Sequence, residues 1–493
     1  MFAFKSILIF MTLLFQDAPI EQATWLKDFD GMAEASMASW QVPGLAAGAI
    51  QAGEVVLAKG YGFADLDASR PVDRQTVFPI GSITKSFTAS ILGEMVAAGK
   101  VDWHTPIQRE MPDFRLQNSQ ATMAATLEDM LGHRAGLARH DAIWMCDAYD
   151  REAIFKKLQY LEPAFEFREQ FHYSNLNYLV AGRLAEHLSG KTWEALVSEK
   201  LLTPLNMTRT WPNLEQAGKA ATLARPYTIE NDRLERVKAM PYEIRNIAPA
   251  GAIASCIDDM LVWLRFQFSD EPQLQAIPAE ILHRLQTPTT LMPYFPDDDQ
   301  RGFVGAGMGW FVEWYRGHYL VFHSGVVRGY SAWLGFLPHQ KTGVVILSNR
   351  FGNPAPQILG RYALDRMLDV PPIDWQSKFE NADGENHLHK TETLPKGAPS
   401  LPLAHYSGRF SHPAYGTLTI TSDEQGLGLE VIGYPFRLEH LLGDHFTPKP
   451  VGGHQIELPA LSFQVTENGE VTQVQMVLDP AVKPIEFCKD IQD

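Results

Sequence analysis

Cysteine is scarce in this chain: Cys146, Cys256 and Cys488 are the only three in 493 residues. They offer no disulfide framework and no metal-ligand spacing; at most one bridge is available, and buried free thiols are the simpler expectation. Positive charge is also in short supply, with 42 Lys and Arg against 58 Asp and Glu and a formal net charge of −16. That balance argues against a nucleic-acid or anionic-membrane surface, where cations must dominate. Neither a Gly-x-Ser-x-Gly elbow nor a His-Glu-x-x-His occurs, which disfavours the nucleophile and zinc architectures those patterns mark. No metal or other cofactor is expected. Ile7–Phe15, behind Lys5, is too short to span a bilayer but suits the hydrophobic region of a signal peptide, and no later run is apolar enough to cross. Residues 1–22 are therefore expected to be an export signal, with Ala18 and Ala23 as candidate cleavage positions, and the protein to be secreted or periplasmic. A short buried N-terminal helix is the alternative.

What remains is the composition of an ordinary globular protein, 45% hydrophobic and 20% charged, on a chain too long for one core. Segment 23–370 mixes helices and strands. Gly44–Gly62 reads as two strands about a turn at Ala52-Gly53. Ile83, Phe87, Ile91 and Met95 recur at helical spacing until Gly99. Further helices are expected over Asn177–Leu188 and Ile257–Phe268, and three successive strands over Tyr319–His323, Tyr330–Leu337 and Val344–Ser348. Helices followed by adjacent strands make an α+β arrangement with an antiparallel sheet. Positions 371–400, opening with Pro371-Pro372, read as a linker. Over 401–493 short apolar segments alternate with turn residues, predicting a small all-β barrel or sandwich.

Ser82 and Lys85, in Phe78-Pro-Ile-Gly-Ser-Ile-Thr-Lys85, open the first of these helices. Residues three apart share a helix face, so the hydroxyl and the amine can exchange a proton, and a serine needs such a base to become a nucleophile. The first helical turn also supplies unpaired backbone N–H groups that can steady an oxyanion. Chance alone supplies about two Ser-x-x-Lys matches in a chain of this length. The pattern gains weight from two later triplets, Tyr173-Ser174-Asn175 before the second helix and His323-Ser324-Gly325 at the end of the first late strand.

With these motifs the chain resembles the class C type of beta-lactamase-like serine hydrolases, a group of beta-lactamases, DD-peptidases, D-aminopeptidases and esterases. The resemblance extends through Leu131-Gly-His-Arg-Ala-Gly-Leu137, Phe171–Tyr178, Pro204–Met207, Pro249–Ala252 and Val344–Asn349. It implies an antiparallel sheet flanked by helices with an all-helical lobe, followed by a lipocalin-like β domain; covering the site mouth, assembly into oligomers and binding a ligand of its own are the open roles for that domain. It implies acyl-enzyme formation on Ser82, with Lys85 and Tyr173 together as general base, their proton affinities lowered by burial and by a neighbouring cation respectively. The backbone N–H groups of Ser82 and Val326 would form the oxyanion hole. Asn175 would hydrogen-bond the substrate's amide or the Lys85 side chain, and His323, Ser324 and Gly325 would bind a small-molecule or short-peptide substrate, which would pair with the edge of the His323 strand.

One departure bears on substrate. Beta-lactamases of this type carry Lys-Thr-Gly where this chain has His323-Ser324-Gly325; Lys341-Thr342-Gly343 lies in a turn and is a false match. A histidine is neutral over much of the physiological range and anchors a carboxylate less firmly than lysine. The resemblance therefore favours D-amino-acid peptides, amides or small esters over beta-lactams, with a true beta-lactamase or a catalytically silent binding protein as the rival readings. Pocket walls are expected from the loops Asp141–Phe165, Thr210–Asn246 and Thr287–Arg301.

Overall fold

A computed structural model describes residues 25–145, 149–237, 242–269, 276–292, 301–371, 373–387, 397–452 and 457–490. The expected export signal, the Asp297-Asp298-Asp299 run and Cys146 lie outside them. Among the described residues no helix is long and apolar enough to cross a membrane.

The body is built on a nine-stranded antiparallel sheet. From one edge to the other its strands are Arg70–Pro71, Glu54–Asp65, Gly44–Gln51, Thr342–Ser348, Tyr330–Leu337, His318–Val327, Phe311–Tyr315, Arg301–Ala306 and Thr290–Leu291. Its central strands are covered on both faces, which is why they read as nearly continuous apolar runs. Period-two alternation divides Gly44–Gln51 between two cores: Leu45, Ala47 and Ala49 pack toward helices Trp25–Ser39 and Ala355–Met367, while Ala46 and Ile50 face the opposite layer. There Ile257–Phe266 lies so close that a Cβ on Gly48 would meet Ile257 and Leu261 at 3.0 Å. Helix Thr84–Ala97 runs between this layer and a lobe of helices that includes Asn175–Ser189. It is buried nearly all round, with Phe87 stacked on Trp263 at 3.6 Å between ring centroids.

The helices and late strands fall where expected, with two differences. The His323-Ser324-Gly325 triplet lies inside a strand that continues to Val327, because pairing with Tyr330–Leu337 runs unbroken through it. The interval expected as a linker contains a helix, Trp375–His387, anchored by the buried indole of Trp375 donating to Asp365 at 2.8 Å. At Gly309 the backbone packs closely: a Cβ there would lie 2.9 Å from the Lys85 carbonyl, so this turn seats the sheet on the Ser82 helix.

The C-terminal segment forms a closed antiparallel barrel of eight strands between Gly408 and Lys489. Five of them coincide with apolar segments; Gly408–His412, His445–Pro450 and Ile485–Lys489, short and interrupted by polar residues, do not stand out in the sequence. Cys256 is buried and free, but Cys488 is exposed, correcting the expectation of buried thiols. In its strand Ile485 and Phe487 face the barrel interior, so the alternation turns Cys488 outward.

Candidate active site

Ser82 lies in a single 3-10 turn, Gly81–Ile83, which passes directly into the helix at Thr84. The turn keeps the one-face spacing, and Lys85 Nζ stands 3.0 Å from Ser82 Oγ. Lys85 is wholly buried while Ser82 is partly open to the cleft. The amine donates to Asn175 Oδ1 and to the Ala250 carbonyl, both at 2.8 Å. A neutral amine has two N–H groups and one lone pair; these two acceptors use the N–H groups and leave the lone pair for the Ser82 hydroxyl. Burial, and then the Arg139 cation, hold Lys85 well below the usual lysine range, with the Asp141 carboxylate opposing them.

Tyr173 borders the same amine, its ring centroid 4.9 Å from Lys85 Nζ. Here the expectation of a lowered affinity is overturned. Burial raises Tyr173 above the usual phenol range, and the Ser82 hydrogen bond and Arg139 charge do not offset it. The phenol is therefore protonated when the site is at rest, and the lysine is the better base. Asn175 opens helix Asn175–Ser189 two residues earlier than expected and spends its carbonyl on Lys85.

Two glycines bring the backbone of the Ser82 turn against the late sheet. Gly81 has φ +52°, and a Cβ there would meet the Val326 nitrogen at 2.6 Å. Ser82 and Val326 N–H groups thus belong to abutting backbones, the requirement for a two-donor oxyanion hole. The neighbouring strand Phe311–Tyr315 ends its pairing at Phe311 with Phe322. Beyond that point His323–Val327 runs past its neighbour, with Ser324 and Val326 exposed to the cleft.

His323 itself is buried, with its ring centroid 4.9 Å from that of Phe311. Burial first, and Lys85 whenever it is protonated, push it down to about 3, against the pull of the Ser324 carbonyl, 2.6 Å from Nδ1. It is a neutral ring at any physiological pH.

Around these groups opens a cleft of about 660 Å³, a size suited to a small molecule or peptide end. Asp141, Trp144 and Met145 come from the first expected wall loop and Ile244 from the second. The third expected loop contributes no wall among the described residues; the barrel does, through Glu457. Sequence reasoning also missed Arg139, Arg328 and Phe311. The only signal for the two arginines was charge next to a motif: Arg139 and Asp141 follow Gly136-Leu137, and Arg328 follows Val326; Phe311 carried none. His133, quoted only as part of a motif, lies with its ring centroid 4.6 Å from that of Tyr173. Its Nδ1 accepts the Ser174 backbone N–H at 3.3 Å, bracing the turn that carries Tyr173 and Asn175. Among the described residues no cluster of His, Cys, Asp or Glu could hold a metal ion.

Comparison with known proteins identifies the family of the chain. The family described as Beta-lactamase matches residues 29–367, and a domain of unknown function, DUF3471, matches 394–489. An unguisins hydrolase, ungD', of Aspergillus campestris is 29% identical over 81% of this chain and 78% of its own. Its counterpart ungD of Aspergillus violaceofuscus is 28% identical over 90% and 86%. A solved octameric penicillin-binding protein homologue from Pyrococcus abyssi superposes with a TM-score of 0.63 at 22% identity, covering 94% of this chain and 99% of that one. SurE with D-Leu superposes with a TM-score of 0.54 at 20% identity, with the same coverage; both likenesses are of fold.

Proposed function

This chain belongs to the beta-lactamase family of serine hydrolases, and we propose that it cleaves amide or ester bonds through an acyl-enzyme on Ser82. Lys85 takes the hydroxyl proton as Ser82 Oγ attacks the carbonyl carbon. The developing oxyanion is held by the N–H groups of Ser82 and Val326. Tyr173, protonated at rest, gives its proton to the leaving nitrogen or oxygen and recovers one from Lys85. Water then attacks the ester by the same route in reverse, releasing the acid and restoring Ser82. Asn175 steadies Lys85, and His323, Ser324 and Gly325 form the strand along which an extended substrate lies.

The observation that carries this reading is the buried amine 3.0 Å from Ser82 Oγ with both its N–H groups already engaged. For the substrate, D-amino-acid peptides or amides and small esters are favoured over beta-lactams. A neutral, buried His323 puts no cation where beta-lactamases of this type carry lysine. Relatives described as unguisins hydrolases and a fold neighbour holding D-Leu are consistent with that preference. The reading includes export, with residues 1–22 removed, which N-terminal sequencing of the mature protein checks.

The test is labelling by a fluorophosphonate, followed by turnover of D-amino-acid amides, p-nitrophenyl esters and nitrocefin. Labelling of wild type but not Ser82→Ala, with turnover of the first two classes and little of nitrocefin, is the expected result. An unlabelled Ser82 overturns the hydrolase; rapid nitrocefin turnover overturns the substrate preference.

A further inference from the structure

The barrel meets the body at a buried joint around His140, flanked by Arg139 and Asp141, which both line the cleft. His140 is fully buried and holds a left-handed backbone, φ 44° and ψ 40°, a conformation that a non-glycine residue keeps only where its surroundings impose it. Here the barrel imposes it. Asp479 Oδ2 accepts the His140 backbone N–H at 2.9 Å, and the Tyr415 hydroxyl lies 2.7 Å from His140 Nδ1. Nε2 lies 2.7 Å from the Glu162 carbonyl of the body. A carbonyl only accepts, so Nε2 carries the ring proton and Nδ1 receives the Tyr415 hydroxyl. Burial holds His140 below the usual histidine range and Tyr415 above the usual phenol range, which keeps that polarity in place.

The flanking pair reaches the reacting groups. The Arg139 guanidinium lies 5.5 Å from the Tyr173 ring centroid and pairs with Asp141 Oδ2 at 2.6 Å. Asp141 Oδ1 accepts from Trp144 Nε1 at 2.9 Å and Asn175 Nδ2 at 3.4 Å. Of the titratable groups facing Lys85, Tyr173 and Tyr178 are held protonated, and His133 and His323 are held neutral. Arg139 and Asp141 are the two that bring charge.

We propose that Arg139 and Asp141 are positioning residues of the Lys85–Tyr173 base, and that Tyr415 and Asp479 hold them there through His140, making the barrel part of the catalytic machinery. This rests on the hydrolase reading above. The two charges act in opposite senses. Arg139 favours the neutral amine, so its loss moves the acid limb of the rate to higher pH. Asp141 favours the ammonium, so its loss moves the limb lower.

The experiment is the pH dependence of Ser82 labelling by a fluorophosphonate in the full chain. It compares wild type, Arg139→Gln and Asp141→Asn, each repeated in a Tyr415→Phe/Asp479→Asn background, with folding checked by circular dichroism. The expected result is opposite shifts on the order of half to one pH unit, reduced by at least half in the barrel background, where the pair is no longer held. Coincident acid limbs for wild type, Arg139→Gln and Asp141→Asn overturn the positioning role. Undiminished shifts in the barrel background overturn the part given to the barrel. Should that background not fold, the same comparison with Tyr415→Phe alone decides. Failure to label wild-type Ser82 at any pH overturns the hydrolase reading and this proposal together, a result distinct from labelling with coincident limbs.

Discussion

The Ile80 carbonyl oxygen occupies the space a side chain at Gly325 would need: an added Cβ would sit 1.9 Å from it. Two segments far apart in sequence are thereby pressed backbone to backbone, and the Ser82 and Val326 N–H groups stand in those segments. Gly325→Ala must force them apart. It is expected to lower kcat about a hundredfold to a thousandfold, the cost of a displaced oxyanion donor, measured on a p-nitrophenyl ester. Retained circular dichroism would separate this from unfolding, and wild-type turnover would refute the oxyanion assignment.

Lys85 and Tyr173 are displaced in opposite directions by the same burial. The base works deprotonated, so rate should rise with pH through Lys85's lowered range and reach its plateau below the ordinary lysine value of ~10.4. Tyr173→Phe should lower kcat by about a hundredfold while the acid limb remains. A pH profile whose acid limb rises only near ~10, the ordinary lysine range, would contradict the neutral amine.

Arg328 lines the cleft two residues beyond Val326 and makes no ion pair among the described residues. A guanidinium beside an oxyanion hole suits a substrate carboxylate, which the neutral His323 cannot hold. Arg328→Gln should raise KM about tenfold, on the order of 1.4 kcal/mol, for substrates ending in a carboxylate and leave neutral esters unaffected. Equal effects on both would remove the assignment.

Asp479 is held below the usual carboxylate range: burial pushes it up, and the His140 and Ala481 N–H donors more than offset that. A depressed carboxylate stabilises the fold above its unfolded value, ~3.9, and that stability fades as pH falls through the folded value. The stability difference between wild type and Asp479→Asn should therefore be full at pH 6 and shrink below about pH 4. A pH-independent difference in thermal unfolding would count against this joint.

Much of the site was legible because its chemistry is local. Ser82 and Lys85 share a face by helical spacing, and Tyr173-Ser174-Asn175 and His323-Ser324-Gly325 each occupy one short stretch at an element boundary or strand. The core strands announced themselves by unbroken apolar runs, and the Ser82 helix by its period. The barrel showed itself through its longer apolar stretches; in Gly408–His412, His445–Pro450 and Ile485–Lys489 only one or two inward residues stand among polar ones, too few to mark a strand.

Long-range packing decided the rest. A phenol and an amine in sequence carry ordinary proton affinities; burial against one another moved Tyr173 up and Lys85 down, and no pattern of letters records how much water is excluded. Glu457 reaches the cleft from the barrel, and Asp479 bonds His140 between the cleft residues Arg139 and Asp141, joining positions more than three hundred residues apart. The residue types and their local spacing supplied the candidate chemistry, while solvent exclusion and the meeting of distant backbones set its charge state, its oxyanion donors and its walls.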